Sequence, residues 1–324
     1  MRRLSMVVLM GALGALIGAS PQPAMEFVDG GLPRYEAGEA DLAGSIVSVG
    51  STTVGNLLSR WADAFRAMHP QTSVTITGAG SGTAPPALNS GAAALAPMSR
   101  PMNAGEIGAF RAKFGYEPTR ITVAIDALAV FVNAENPIDA LSMEQIDTIF
   151  SDDCKRGGET ARTWGDLGLT GEWADMPLIV YGFRDTAGGY ALFRELVLKD
   201  GEYRKDISVQ PGSSAIVNGI GAYPNAVGYA SQFFQTRRTR MVPIRDESGA
   251  AHSPDARSCE NGKYPLAREL FVYINKAPDK PLDPTVEAFL RFILSYEGQL
   301  IAAEDGNFPM SAPLAAQQVA KFAR

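Results

Sequence analysis

Where the short β run Ser-Ile-Val-Ser-Val-Gly (45–50) ends, the chain reads Ser51-Thr52-Thr53, and apolar residues then follow at helical spacing: Val54, Leu57, Leu58, Trp61, Phe65 and Met68. The first turn of a helix leaves backbone N–H groups unpaired and carries about half a positive charge, so hydroxyls placed there extend an anion-binding surface without adding a full charge. Simple N-capping accounts for Ser and Thr at this place equally well when the stretch is taken alone. The arrangement recurs, however. A second strand, Ser-Val-Thr-Ile-Thr (73–77), runs into Gly-Ala-Gly-Ser-Gly-Thr-Ala-Pro-Pro, which sets Ser81, Gly82 and Thr83 at the equivalent point of the next unit. Two such turns favour the anion reading over capping alone.

A charge partner is available further along. Arg184 follows the apolar strand Pro-Leu-Ile-Val-Tyr-Gly-Phe (177–183) and precedes a glycine-rich turn into another helix. Its guanidinium fork can meet oxyanion oxygens there while the following N–H groups face the same point; an isolated loop Arg is otherwise a solvated surface residue. Asp126, inside Ala-Ile-Asp-Ala-Leu-Ala-Val-Phe, is costly to bury unless paired. It either organises a hinge or site donor or caps nearby backbone.

Other chemistries are poorly supplied. Net charge is −6, with 29 Lys and Arg against 35 Asp and Glu, so no broad basic face for nucleic acid is expected. No Gly-x-x-x-x-Gly-Lys-Ser/Thr, Gly-x-Ser-x-Gly or Ser-x-x-Lys occurs. The only histidines are His69, at a helix end before Pro70, and His252, in a polar loop. A histidine-based triad, a histidine-rich metal site and a bound cofactor are therefore not expected.

The elements that must hold these residues alternate strand and helix, which indicates α/β folding with a largely parallel sheet. Residues 1–20, with two Arg before an apolar run, have the layout of a secretory signal peptide, an uncleaved anchor being the alternative. Residues 21–43 lack periodicity and read as an exposed tail. Two β runs are unusually long, 121–133 and 264–276; they can pair and cross between two domains. The stretch 245–263 reads as a loop. The segment 285–306 reads as an amphipathic helix returning to the first domain. The domain expectation is 44–130 with 265–324 as one lobe and 131–264 as the other. Cys154 and Cys259 are the only cysteines, and in an exported chain they are expected to pair. Closing that loop would stabilise by up to about 4–5 kcal/mol in the chain-entropy model.

The segments GSTTVGNLLSRWADAF, GAGSGTAPPAL, APMSRPM, VAIDALAVFVN, WGDLGLTGEW, AVGYAS, YPLARELFVYINK and FLRFILSYEGQ come in the order and spacing of the phosphate-binding proteins of ABC transporters. From about residue 44 to 311 the chain resembles this PstS family. The resemblance implies a monomeric, two-lobed periplasmic binding protein of type II, with mixed, mostly parallel sheets joined by two crossing strands. It further implies a dehydrated phosphate or similar oxyanion in the cleft, a membrane permease as partner, and a periplasmic or secreted location. Thr53 and Ser81 fall where the family's phosphate-contacting hydroxyls lie, and Arg184 matches the family's Arg. A secreted phosphatase-like relative, or a phosphate sensor that has lost transport, are the alternatives.

Departures from the pattern are specific. Where the family commonly has Arg, three residues, then Ser-Gly-Thr, this chain reads RDTAGGY, so Gly188 and Gly189 stand near those positions and two hydroxyl donors are missing unless Thr186 or Tyr190 substitutes. Charge-assisted hydrogen bonds are worth about 1.5–3 kcal/mol each, against about 8 kcal/mol for micromolar binding. Some members carry Asp where this chain has Ser99, which weakens the expected discrimination against sulfate. The adjacent Arg100 either offers a second positive charge or faces solvent.

Overall fold

The computed structural model describes residues 24–38, 42–185 and 187–323; the signal-peptide expectation lies outside them. Strand β1 (Gly44–Gly50) leads into helix α1 (Thr52–Met68), and β2 (Thr72–Gly78) pairs parallel with β1 in unbroken register. Helix α2 (Ala84–Ser90), with Pro in its first turn, strand β3 (Ala96–Met98) and helix α3 (Ala104–Phe114) follow. Val49 N–H donates to Leu95 O, and Leu95 N–H to Val47 O, so β1 lies beside the start of β3.

The first long β run divides. Strand β4 (Thr119–Ala127) and strand β5 (Ala129–Asn133) are separated by Leu128 alone, yet they belong to different sheets. Short β6 (Leu141–Ser142) and α4 (Met143–Phe150) precede β7 (Ile179–Phe183), α5 (Gly188–Leu196), β8 (Ser208–Gln210), α6 (Ser213–Ala222), β9 (Ala226–Ala230) and β10 (Thr239–Met241). The order β10-β5-β9-β7-β8 makes a mixed five-stranded sheet, with β7 parallel to both its neighbours. The stretch expected as loop carries a small hairpin, β11 (Ile244–Arg245) with β12 (Ala251–His252), and helix α7 (Ala256–Glu260).

Strand β13 (Ala267–Ile274) returns antiparallel to β4, with a bulge between Leu270 and Phe271, and its other edge takes β3. The chain thus crosses twice between the sheets, as expected from its two long β runs. At the crossing, Leu128 N–H donates to Leu266 O at 3.1 Å and the Tyr264 hydroxyl to Leu128 O at 3.0 Å.

Helices α8 (Pro284–Ile293), α9 (Tyr296–Glu304) and α10 (Ala312–Ala320) close the chain. The single helix expected over 285–306 is two, because Ser295 caps a new start by accepting from Gly298 N–H. Gly298 packs so tightly on the end of α8 that a Cβ would stand 2.2 Å from Phe292 O. The apolar interior has two large bodies. One joins Trp61 and Phe65 of α1 to Phe289, Phe292 and Phe322; the other surrounds β5, β7 and β9 with Phe150, Trp164, Phe193 and Tyr229. A smaller cluster lies under α2 and α3.

Residues 24–38 correct the expectation of an exposed tail. Val28 and Leu32 are buried in the α1 core. Asp29 Oδ2 accepts from Ala312 N–H at 2.8 Å, and the Tyr35 hydroxyl lies 2.8 Å from His69 Nε2. Phe27 meets Phe233, which follows β9, with ring centroids 4.5 Å apart. Sparse apolar residues that anchor singly leave no periodic signal.

The expected disulfide is not formed: both cysteines are free thiols. Cys154 Sγ sits against Ser151 O and Thr160 Oγ1, at 3.8 and 3.7 Å. Cys259 is packed into the core around β5, and burial pushes its thiol up to about 12. Even count and polar neighbours in sequence do not bring two sulfurs together when one belongs to a core.

Candidate functional site

The loops after β1, β2 and β3 converge. Gly50 is wedged between β3 and α2, where a Cβ would lie 2.2 Å from Pro97 O and 2.9 Å from Ala84 Cβ. Only glycine permits this approach, and it places Ser51 N–H on Pro97 O at 2.8 Å. Ser51 itself is buried and caps α1, its hydroxyl accepting from Val54 N–H at 3.4 Å. Thr52 is exposed and Thr53 half-buried in the first turn.

Ala79 N–H donates to Gly50 O at 2.9 Å, tying the second loop to the first. Gly80 has φ +95°, a left-handed conformation that suits glycine. Ser81, Gly82 and Thr83 form a single tight turn before α2, and the Thr83 hydroxyl is spent on Gly80 O at 2.8 Å. Ser81 Oγ accepts from Ser99 N–H at 3.1 Å and lies 3.2 Å from Ser99 Oγ. With its oxygen accepting from that amide, the Ser81 hydroxyl can donate to Ser99 Oγ or accept from it. Ser81 and Ser99 are therefore brought together as a hydroxyl pair beside the Ser51–Thr53 turn.

Arg100 is turned elsewhere. Its Nη1 and Nη2 hold the two Glu106 carboxylate oxygens at 2.9 and 2.8 Å, and that pairing keeps the Glu106 carboxyl below its ordinary range. Glu106 in turn accepts from Asn103 N–H in the capping box of α3. The second positive charge considered for the site is thus engaged in fastening α3.

In the five-stranded sheet, Arg184 is exposed at the end of β7, its N–H on Gln210 O at 3.3 Å and its own carbonyl accepting from Ala187 N–H at 3.0 Å. Helix α5 then begins at Gly188, and among the described residues no side chain caps it; Tyr190 N–H is spent on Ala187 O at 3.1 Å. Gly189 is sterically required, since a Cβ would stand 2.8 Å from the Phe183 ring, whereas Gly188 meets nothing within 4 Å. Thr186 lies outside the described residues.

Asp126 projects from β4 opposite Arg268 of β13, and Arg268 Nη2 and Nε reach its Oδ2 at 3.2 and 3.3 Å. Burial pushes the Asp126 carboxyl above its ordinary range against the pull of Arg268. Asp126 is thus paired with Arg268 across the two crossing strands. Arg268 was not singled out in the sequence; the signal was present as a lone charge pair, Arg268-Glu269, inside an otherwise apolar β run. The loop after β8, tied to Arg184 through Gln210, was also missed, and its composition offers nothing to mark it.

A cavity of about 690 Å³ lies elsewhere, between Phe27, Gln232, Met241 and Phe308, and none of the anion-site candidates lines it. Among the described residues no group of three or more His, Cys, Asp and Glu is placed to hold a metal, and no helix is long and apolar enough to cross a membrane.

Comparison with known proteins accords with this architecture. The model of the PBP superfamily domain matches residues 36–297. The phosphate-binding protein PstS of Pseudomonas aeruginosa is 41% identical over 304 residues, 93% of this chain and 94% of that protein. A solved structure of a possible phosphate binding protein from Planctomyces limnophilus aligns with a TM-score of 0.73 at 24% identity, covering 87% of this chain and 100% of that one. PstS from Borrelia burgdorferi aligns with a TM-score of 0.63 at 20% identity, covering 82% and 99%. The latter two speak to the two-lobed fold, while the Pseudomonas relative narrows the assignment. With two α/β sheets joined by crossing strands, and with these relatives, the chain belongs to the PBP superfamily and, within it, to the family of the phosphate-binding protein PstS.

Proposed function

We propose that this protein captures orthophosphate, or a closely related oxyanion, between its lobes and delivers it to the membrane permease of an ABC importer, without a catalytic step of its own. Lobe 1 is taken as residues 44–130 with 265–324, and lobe 2 as 131–264. The observation that carries the reading is the convergence of the Ser51–Thr53, Ser81 and Ser99 loops, with an exposed Arg184 and an α5 start that no described side chain caps supplied from the second sheet. Such a site holds an anion by partial charges and hydroxyls on one side and a full cation on the other, so water can be stripped from the ligand without leaving its charge unmatched. The naming of the Pseudomonas relative supports phosphate as the anion. An apolar leader at the N-terminus supports export to the periplasm.

The missing Asp at position 99 shapes selectivity. A carboxylate there would accept the proton of monohydrogen phosphate and repel sulfate, whereas a Ser hydroxyl does neither strongly. Isothermal titration with orthophosphate, arsenate and sulfate, after removal of co-purified anion, tests the reading. Saturable one-site heat with phosphate supports it, and absence of heat with all three at millimolar concentration overturns it. Release of product from a chromogenic phosphate ester would overturn the non-catalytic part.

A further inference from the structure

Arg268 makes contacts that a simple cross-strand pair does not require. Its side chain is only 13% exposed, and besides the Asp126 carboxylate it holds Glu195 Oε2 with Nη1 at 2.8 Å. Glu195 belongs to α5, on the other side of the crossing from β13 and β4. One guanidinium thus joins the crossing strands to α5, the helix that starts at Gly188 just after Arg184.

Glu195 is out of place by the electrostatics of its own helix. It stands in the last turn of α5, where the backbone carbonyls already concentrate negative charge and an acidic side chain is unfavourable. The ion pair with Arg268 supplies a reason for an acid there. At the other end, Gly189 lies flush on the Phe183 ring, so α5 cannot tilt at its start without moving the end of β7, from which Arg184 extends. Displacing the far end of α5 therefore displaces its Gly188–Gly189 end with it.

We propose that Arg268 is a positioning residue for anion binding: by clamping Glu195 to the Asp126 pair, it sets α5, with Arg184 and the Gly188–Gly189 N–H groups, at the angle from which they meet a ligand held by the other lobe. The inference rests on the phosphate-capture reading. Arg268 itself touches no ligand. Lysine keeps the charge but, with a single ammonium, does not reproduce the fork that serves two carboxylates at once.

The test is phosphate titration of wild type, Glu195→Ala, Glu195→Asp and Arg268→Lys, each with its thermal midpoint and with hydrogen exchange of the α5 amides. Glu195 is half exposed, so Glu195→Ala is expected to fold with a midpoint near wild type while its phosphate Kd rises about fivefold or more. Arg268→Lys is expected to show a comparable loss, and Glu195→Asp to recover part of the affinity, which a role in general stability would not produce. Exchange along α5 in the ligand-free protein is expected to speed up in Glu195→Ala. Wild-type binding with both Glu195→Ala and Arg268→Lys within twofold of it overturns the positioning role and leaves phosphate capture standing. No phosphate binding by wild type overturns the capture reading instead; unchanged α5 exchange in Glu195→Ala then also overturns the clamp.

Discussion

Arg184 and Thr53 illustrate how unequal two contacts in one site can be. Removing the guanidinium leaves a desolvated anion without its cation, which costs roughly 2–5 kcal/mol by analogy with truncated buried charge pairs. A hydroxyl beside intact N–H donors costs about 1 kcal/mol. Arg184→Ala is thus expected to weaken phosphate binding far more than Thr53→Ala, as the ratio of the two dissociation constants will read; equal losses would place the site elsewhere. Ser99→Asp is expected to raise the ratio of sulfate to phosphate Kd by tenfold or more, since like charges in contact cost several kcal/mol and only protonated phosphate can share a proton with the new carboxylate. Competition titration measures it. The thiols differ as sharply: Cys154, partly exposed, is expected to react with a thiol reagent in the folded protein, whereas Cys259, buried with its thiol pushed up to about 12, waits for unfolding. Rapid labelling of both, or of neither, would contradict the structure.

The elements show which parts of this architecture the sequence could disclose. Alternating strand and helix, the glycine turns and the two long β runs all carried local signals, and β4 pairs with β13 accordingly. Other features depended on distant partners. The break between α8 and α9 is hidden because apolar spacing continues through Ser295, and the arm over residues 24–38 is anchored by isolated residues such as Leu32 and Tyr35. The candidate site was drawn from residue types, whereas the commitment of Arg100 to Glu106 and of Arg268 to two carboxylates is a matter of side-chain direction, which spacing does not encode. The arm offers a pH test. His69 is buried against Phe65 and Tyr35, and that burial lowers its pKa from the usual value of about 6.5. The folded state thus favours neutral His69, a contribution present above pH ~6.5 and lost as pH falls through the lowered value. Between pH 8 and 5 the thermal midpoint of wild type is expected to fall more than that of His69→Gln; parallel curves would remove His69 as the cause.

At the scale of the whole molecule, a ligand that joins two lobes stabilises only the folded state. Phosphate at a hundredfold excess over its Kd should add about 2.7 kcal/mol to unfolding by mass action, and the midpoint should climb with concentration. Arg184→Ala should lose most of that climb at the same phosphate concentration while keeping its ligand-free midpoint, as differential scanning fluorimetry would show.

The return of β13 to β4 also governs how the molecule is made. The core around β5, β7 and β9 is drawn almost wholly from one continuous stretch, 125–266, with Phe308 as its late addition. The core containing Trp61 and Phe65 needs Phe289, Phe292 and Phe322, so α1, the first α-helix among the described residues, is completed last. Contacts so far apart in sequence form slowly. Until those helices are made, the part of α1 that faces Phe289 and Phe292 stays uncovered, and only the neighbouring strands and the 24–38 arm hold it.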